Sequence, residues 1–363
     1  MCASAFSKAH DANYMLAVRA SLSNSGTAMT TAAQASPNLG ERPVNPLVDD
    51  AVEATLTSQL RATTTRHTLL SDYKELFKVR VTAMVVLTAW AGFYLGSLRS
   101  GIPTLHIGLL EALLGIALVS AGASALNEVM ERKSDAKMLR TADRPLATGR
   151  ISLPHGVIAG MVAIVGGTFV LTIFTNPLTG LLTLFTAGTY VTVYTPLKRY
   201  TTMATFIGAF PGAMGPLLGW TAARGIIEWP AVALFAILFV WQFPHFMAIA
   251  WLYRDDYARA GIRMLPVVEP DGWSTVIQAL FYAVLMVPVS VVPWYLHMTG
   301  AVYAVLAVLL SLGYLYYTVR FARIPRTGKM ESRKLARNLL KASVVYLPLL
   351  LMVMMLDAST GGR

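Results

Sequence analysis

Asn127, Glu131 and Asp135 place a carboxamide and two carboxylates at i, i+4 and i+8 of the segment NEVMERKSD. On a helix, positions four apart drift by only about 40°, so the three groups share one face spread over roughly 12 Å. Oxygen donors on one face suit one or two divalent cations, above all Mg²⁺ shared with the oxygens of a phosphate-bearing substrate. A second acidic pair, Asp255 and Asp256, stands in YRDDYARAG. The candidate metal ligands are Asn127, Glu131, Asp135 and Asp256, with Asp255 joining them as a candidate catalytic residue. Lys137, Arg140, Arg144, Lys198 and Arg199 could grip a diphosphate by charge-assisted hydrogen bonds, each Arg offering a bidentate fork. For any one of these residues an ordinary solvated charge beside a membrane is an equal reading. It is weaker for the set, because acids inside a positively biased loop contribute nothing to topology.

His245 is the one histidine deep inside an apolar span, eleven residues before Asp256. That is close to three helical turns, so ring and carboxylate share a face about 16 Å apart. A structural histidine and an axial ligand for a tetrapyrrole iron both remain open. Tyr190, Tyr194, Trp241, Phe243, Phe246, Trp251 and Tyr253 crowd the same side. Most of these suit an interfacial belt, and a few could shield an allylic carbocation. The stretch FIGAFPGAMGPLLGW is rich in Gly and Pro, which fits close helix packing or the wall of a cleft for a long apolar chain.

These groups need elements to hold them, and the composition says which. The 363 residues are 55% hydrophobic and 13% charged, and the apolar residues come in long blocks. This is the signature of an all-α, polytopic membrane protein. Nine apolar spans are predicted at 79–98, 107–126, 153–174, 178–194, 204–222, 229–252, 276–296, 301–319 and 339–356. All but Arg99, Arg224 and Arg363 of the 30 Lys and Arg residues fall on one side of that arrangement. The positive-inside rule puts that side, with the N-terminus, in the cytoplasm, or in the matrix if the protein were mitochondrial. It also accounts for the net charge of +11 without nucleic acid. Spans one to four and five to eight match in direction, each half carrying an acidic loop after its second span. Two parallel four-helix halves plus a ninth helix are expected, with the site between the halves.

Residues 1–70 are rich in Ala, Ser and Thr and lack apolar periodicity, so they read as a disordered extension. A transit peptide and a misassigned start are alternatives. Residues 71–356 form the helical domain and 357–363 a short tail. Cys2, the single cysteine, excludes an intramolecular disulfide and any cysteine-based metal cluster.

Asn127, Glu131 and Asp135 resemble the first acidic motif, NxxxDxxxD, of the intramembrane prenyltransferase (UbiA) superfamily, with Glu131 for the first Asp. RTADRPLATGRIS, YTPLKR, GAMGPLLGW, WQFPHFMAIAW and YRDDYARAGIRMLPV follow in order and look specifically like the protohaem IX farnesyltransferase (haem O synthase) family. The resemblance covers about 71–356. It implies a UbiA-type bundle in a bacterial inner membrane that takes farnesyl diphosphate and protohaem IX, with Mg²⁺ as cofactor. Haem is then a substrate, and a haem A synthase a possible downstream partner. The resemblance also implies that Tyr194 and His245 join the cations as substrate contacts. Ala204 stands where the family usually has Asn, and Arg263 where Pro is common. A sister prenyltransferase for a quinone precursor or chlorophyll-type ring, a transporter and a non-catalytic haem-binding protein remain as alternatives.

Overall fold

The computed structural model describes residues 68–361, and every regular element among them is helical. The extension expected over 1–70 lies almost wholly outside these residues. At its edge Thr68 caps a short helix, α1 (Leu69–Leu76), in a reciprocal box with Ser71. Lys78 then turns the chain in the left-handed region, with φ 44°, into α2 (Val79–Ser100). The second span, α3 (Ile107–Asp135), continues past its apolar stretch for two turns, so the acidic motif is helical as its spacing requires. A loop containing α4 (Pro145–Thr148) leads to α5 (Leu153–Val170), which ends in a π turn at Leu171–Thr175.

The fourth span is helical but interrupted. α6 (Pro177–Gly188) passes into a second π stretch, Thr189–Tyr194, and one last turn, Thr195–Leu197. α7 (Ala204–Arg224) and α8 (Trp229–Leu252) follow, then two short helices, α9 (Arg254–Ala260) and α10 (Leu265–Val268). α11 (Trp273–Tyr295), α12 (Ala301–Phe321) and α13 (Lys329–Gly361) complete the bundle. By length and composition, seven helices among the described residues can cross a membrane. The predicted count of nine rests on adding the fourth span, whose α-helix stops short at the π stretch, and α7, whose Gly and Pro dilute its apolar character.

Small residues set the helix spacing. A Cβ at Gly92 or Gly219 would fall inside the backbone of the facing helix, at Pro216 and Ala89 respectively, so α2 and α7 touch main chain to main chain. Gly122 does the same for α3 and α5, its Cβ falling on the Gly160 carbonyl, while a Cβ at Gly160 would strike the Leu126 side chain. Two large apolar clusters dominate the described residues. One joins α3, α5 and α6 around Ile116, Ile164 and Leu171; the other joins α8, α11, α12 and α13 around Ile237, Met286, Phe321 and Leu350. α2 and α7 contribute to both and form the seam between them.

Candidate active site

The last two turns of α3 bury Asn127, Glu128, Glu131, Ser134 and Asp135. Burying so many polar groups requires partners, and three other segments supply them. Lys198, just past the fourth span, places Nζ 2.8 Å from Glu131 Oε1 and 4.3 Å from the centre of the Tyr194 ring. Arg144 sets Nη1 2.8 Å from Asp135 Oδ2. Arg199 donates to Ser134 Oγ at 3.2 Å and to the Met130 carbonyl at 3.3 Å. Asn127 is held at both ends: Lys78 Nζ donates to its oxygen, and its nitrogen donates to Thr195 Oγ1 at 2.9 Å. The Thr195 hydroxyl in turn donates to the Tyr190 carbonyl, which also accepts the Thr195 backbone N–H across the π turn.

The second acidic loop closes over the first. Asp256, on α9, accepts from the Leu139 amide at 3.3 Å and pairs with Arg259. Arg140 donates to the Tyr257 hydroxyl at 3.0 Å and lies over the rings of Tyr253 and Tyr257. The Arg263 amide donates to the Lys198 carbonyl at 2.9 Å, so the three links on the basic side are tied together. Asp255 does not join them. Its side chain is 54% exposed and turns to Arg254 and Lys329. Lys137 is exposed at the rim. Among the described residues no three His, Cys, Asp or Glu side chains gather tightly enough to form a ready metal cluster. Glu131, Asp135 and Asp256 each face a cation instead. Yet Asp135 Oδ1 and Glu128 Oε2 are buried without a partner, and hard oxygen donors of that kind fit Mg²⁺.

The electrostatics are cation-rich. Burial and the nearby Arg144 guanidinium lower the Lys78 pKa to about 8, against the pull of Glu131. Burial opposes the charge on Lys198 as well, but Tyr194 and Glu131 push its pKa up. Asp135 likewise outweighs desolvation and raises Arg144. These groups suit an anion of high charge arriving from outside.

Beneath the cluster a cavity of about 290 Å³ runs into the bundle along Ser124, Tyr190, Tyr194, Gly208, Gly212 and Phe246. Gly208 and Gly212 keep this wall open, since a Cβ there would strike Tyr194 and Gln242. The Gly- and Pro-rich span packs against α2 at Gly219 and lines the cavity at Gly208 and Gly212. His245 lies on the next residue to Phe246 but turns to α13. Its Nδ1 is 2.8 Å from Ser343 Oγ, and its ring stacks on Trp241.

Sequence reasoning missed Lys78, Glu128 and Thr195. Glu128 carried a signal, being a carboxylate beside Asn127 in an otherwise apolar run. Lys78 read only as a topology charge, and Thr195 is one hydroxyl among many.

The UbiA prenyltransferase family model matches residues 85–341. A protoheme IX farnesyltransferase of Koribacter versatilis is 53% identical over 290 residues, 80% of this chain and 94% of that protein. One from Solibacter usitatus is 42% identical over 79% of this chain and 99% of its own. Among solved structures, a digeranylgeranylglyceryl phosphate synthase superposes with a TM-score of 0.66 at 19% identity, over 80% of this chain and 99% of that one. A UbiA homologue from Archaeoglobus fulgidus bound to DMAPP and Mg²⁺ gives 0.57 at 17% identity, over 80% and 99%. These last two share the fold.

Proposed function

The chain belongs to the UbiA prenyltransferase family, and on that footing we propose that it transfers the farnesyl group of farnesyl diphosphate to a vinyl group of protohaem IX. The carrying observation is that relatives 37–53% identical along most of the chain bear the name protoheme IX farnesyltransferase. The site suits this chemistry, with a cation-rich mouth above an apolar cavity. The active region is 71–356.

Asn127, Glu131, Asp135 and Asp256 would hold Mg²⁺, which supplies Lewis-acid neutralisation of the diphosphate when bound. Arg140, Arg144, Lys198 and Arg199 surround the same oxygens and stabilise the negative charge that grows as the allylic C–O bond breaks. The diphosphate leaves with the bonding pair, and the farnesyl carbon becomes cationic. Tyr190 and Tyr194, with ring centres 5.4 Å apart in the cavity wall, offer their faces to that charge and keep water off it. The vinyl π pair of the haem then forms the new C–C bond. Water adds to the resulting cation and loses a proton, giving the hydroxyethylfarnesyl group of haem O. No side chain is covalently modified.

For the acceptor, His245 is the best-placed residue. The Ser343 hydroxyl donates to the Leu340 carbonyl, so it accepts from His245 Nδ1–H and leaves the Nε2 lone pair available to iron. The orientation that suits the charge asymmetry puts the N-terminus and the site in the cytoplasm of a bacterium, the membrane being the inner one. Haem O leaving there would pass to a haem A synthase. The test is to express the chain in a strain lacking haem O and separate the extracted haems by chromatography. Haem O is expected; protohaem alone would overturn the reading.

A further inference from the structure

A second cavity, of about 500 Å³, lies between α12 and α13 and shares no lining residue with the one beneath the acidic cluster. Its floor is the stacked pair Tyr314 and Tyr346, whose ring centres are 5.1 Å apart at 24°. Both hydroxyls are engaged inside the bundle, Tyr314 with the Trp241 carbonyl and Tyr346 with Ser311, so the floor presents ring faces only. Leu309, Val345 and Leu349 extend that apolar surface along the helices. At the end nearest the α12–α13 link stand Arg320 and Lys341. Neither has a carboxylate within ion-pair reach among the described residues, and Arg320 meets only the Tyr316 ring, at 5.9 Å.

Two unpaired cations at the basic face, above an apolar groove that opens sideways, select a particular ligand. A soluble anion would satisfy the cations and leave the groove in contact with lipid tails. A zwitterionic lipid would bring its own ammonium against them. An anionic amphiphile matches both parts, and basic clefts between membrane helices on the cytoplasmic side bind such lipids. We propose that the α12–α13 groove is a binding site for an anionic phospholipid, its phosphate at Arg320 and Lys341 and an acyl chain along Leu309, Val345 and Leu349. Gly313 opens the middle of the groove, since a Cβ there would meet no protein atom within 4 Å.

The test uses the full-length protein in neutral detergent, titrated with dioleoylphosphatidylglycerol, dioleoylphosphatidylcholine or inorganic phosphate and read by native mass spectrometry. Saturable one-to-one binding of phosphatidylglycerol is expected, with phosphatidylcholine weaker. Arg320→Gln/Lys341→Gln should weaken phosphatidylglycerol binding by about tenfold or more. Gly313→Leu, whose Cβ enters open space in the groove, should weaken it with the cations intact. Retained farnesyl diphosphate binding would show that each variant is folded. Equal binding of the two lipids to the wild type would overturn the proposal, as would displacement of phosphatidylglycerol by inorganic phosphate or protohaem IX. So would unchanged binding in a folded variant. The comparison of lipids on the wild type needs no variant, so a misfolded one does not shelter the proposal.

Discussion

Lys198 Nζ lies 2.8 Å from Glu131 Oε1 although the residues stand 67 positions apart, which pins the end of the fourth span to the acidic face of the second. Removing either partner leaves a buried charge alone. Glu131→Gln and Lys198→Met should each destabilise the bundle by about 3 kcal/mol, and the double variant by clearly less than the sum. Thermal unfolding in detergent measures this, and simple additivity would show that the pair is not coupled.

Asp135 carries a second consequence. One of its oxygens takes Arg144 and the other is buried without a partner. Asp135→Asn keeps the shape and removes the charge. It should lower farnesyl transfer by about 100-fold or more while the protein still inserts. Extracted haem, separated by chromatography, gives the readout, and wild-type haem O levels would remove Asp135 from the metal set.

Lys78 predicts a pH dependence. Its pKa falls from 10.5 to about 8 on folding, so between those values the unfolded chain binds the extra proton. Stability contributed by this group therefore rises as pH climbs past 8, while its charge at the site is lost. Affinity for farnesyl diphosphate should fall about tenfold between pH 7 and pH 9. Lys78→Arg should flatten that profile, and an equally steep profile in the variant would assign the titration to another group.

His245→Ala should raise the KM for protohaem while leaving affinity for farnesyl diphosphate unchanged. Ser343→Ala should do the same more weakly, since Ser343 only fixes the ring tautomer. If both variants lose thermal stability and keep the wild-type KM, His245 is a strut between α8 and α13.

Gly219 faces the Ala89 carbonyl with no room for a Cβ. Gly219→Ala should destabilise the α2–α7 seam by about 3 kcal/mol, whereas Gly313→Ala, open on all sides, should be neutral or slightly stabilising. Melting temperatures of the purified variants compare the two.

The membrane spans were legible because hydrocarbon leaves a chain few alternatives to the helix, so long apolar blocks translate directly into α2, α3, α8 and their like. The break in the fourth span was not, since nothing in TYVTVY marks a π stretch. Asn127, Glu131 and Asp135 were legible because i, i+4, i+8 spacing survives on any helix. Asp255 was drawn in with Asp256, yet adjacent helical residues point about 100° apart, so only one could turn inward and the other met Lys329. Lys78 could not be foreseen, because it reaches Asn127 through a left-handed backbone turn that lysine rarely adopts.

The π stretch at Thr189–Tyr194 also decides what kind of side chain can begin the acidic motif. Its wide turn sets the Tyr190 carbonyl beside residue 195, where it accepts the backbone N–H and also takes the only proton the Thr195 hydroxyl has to give. That hydroxyl can then greet position 127 only as an acceptor, and an amide nitrogen answers it where a carboxylate would meet a lone pair. The polarity of the Asn127 amide is thereby fixed, oxygen toward Lys78 and nitrogen toward the fourth span. A wide turn in one helix thus acts as a grammar for its neighbour, requiring a neutral first member before two acids.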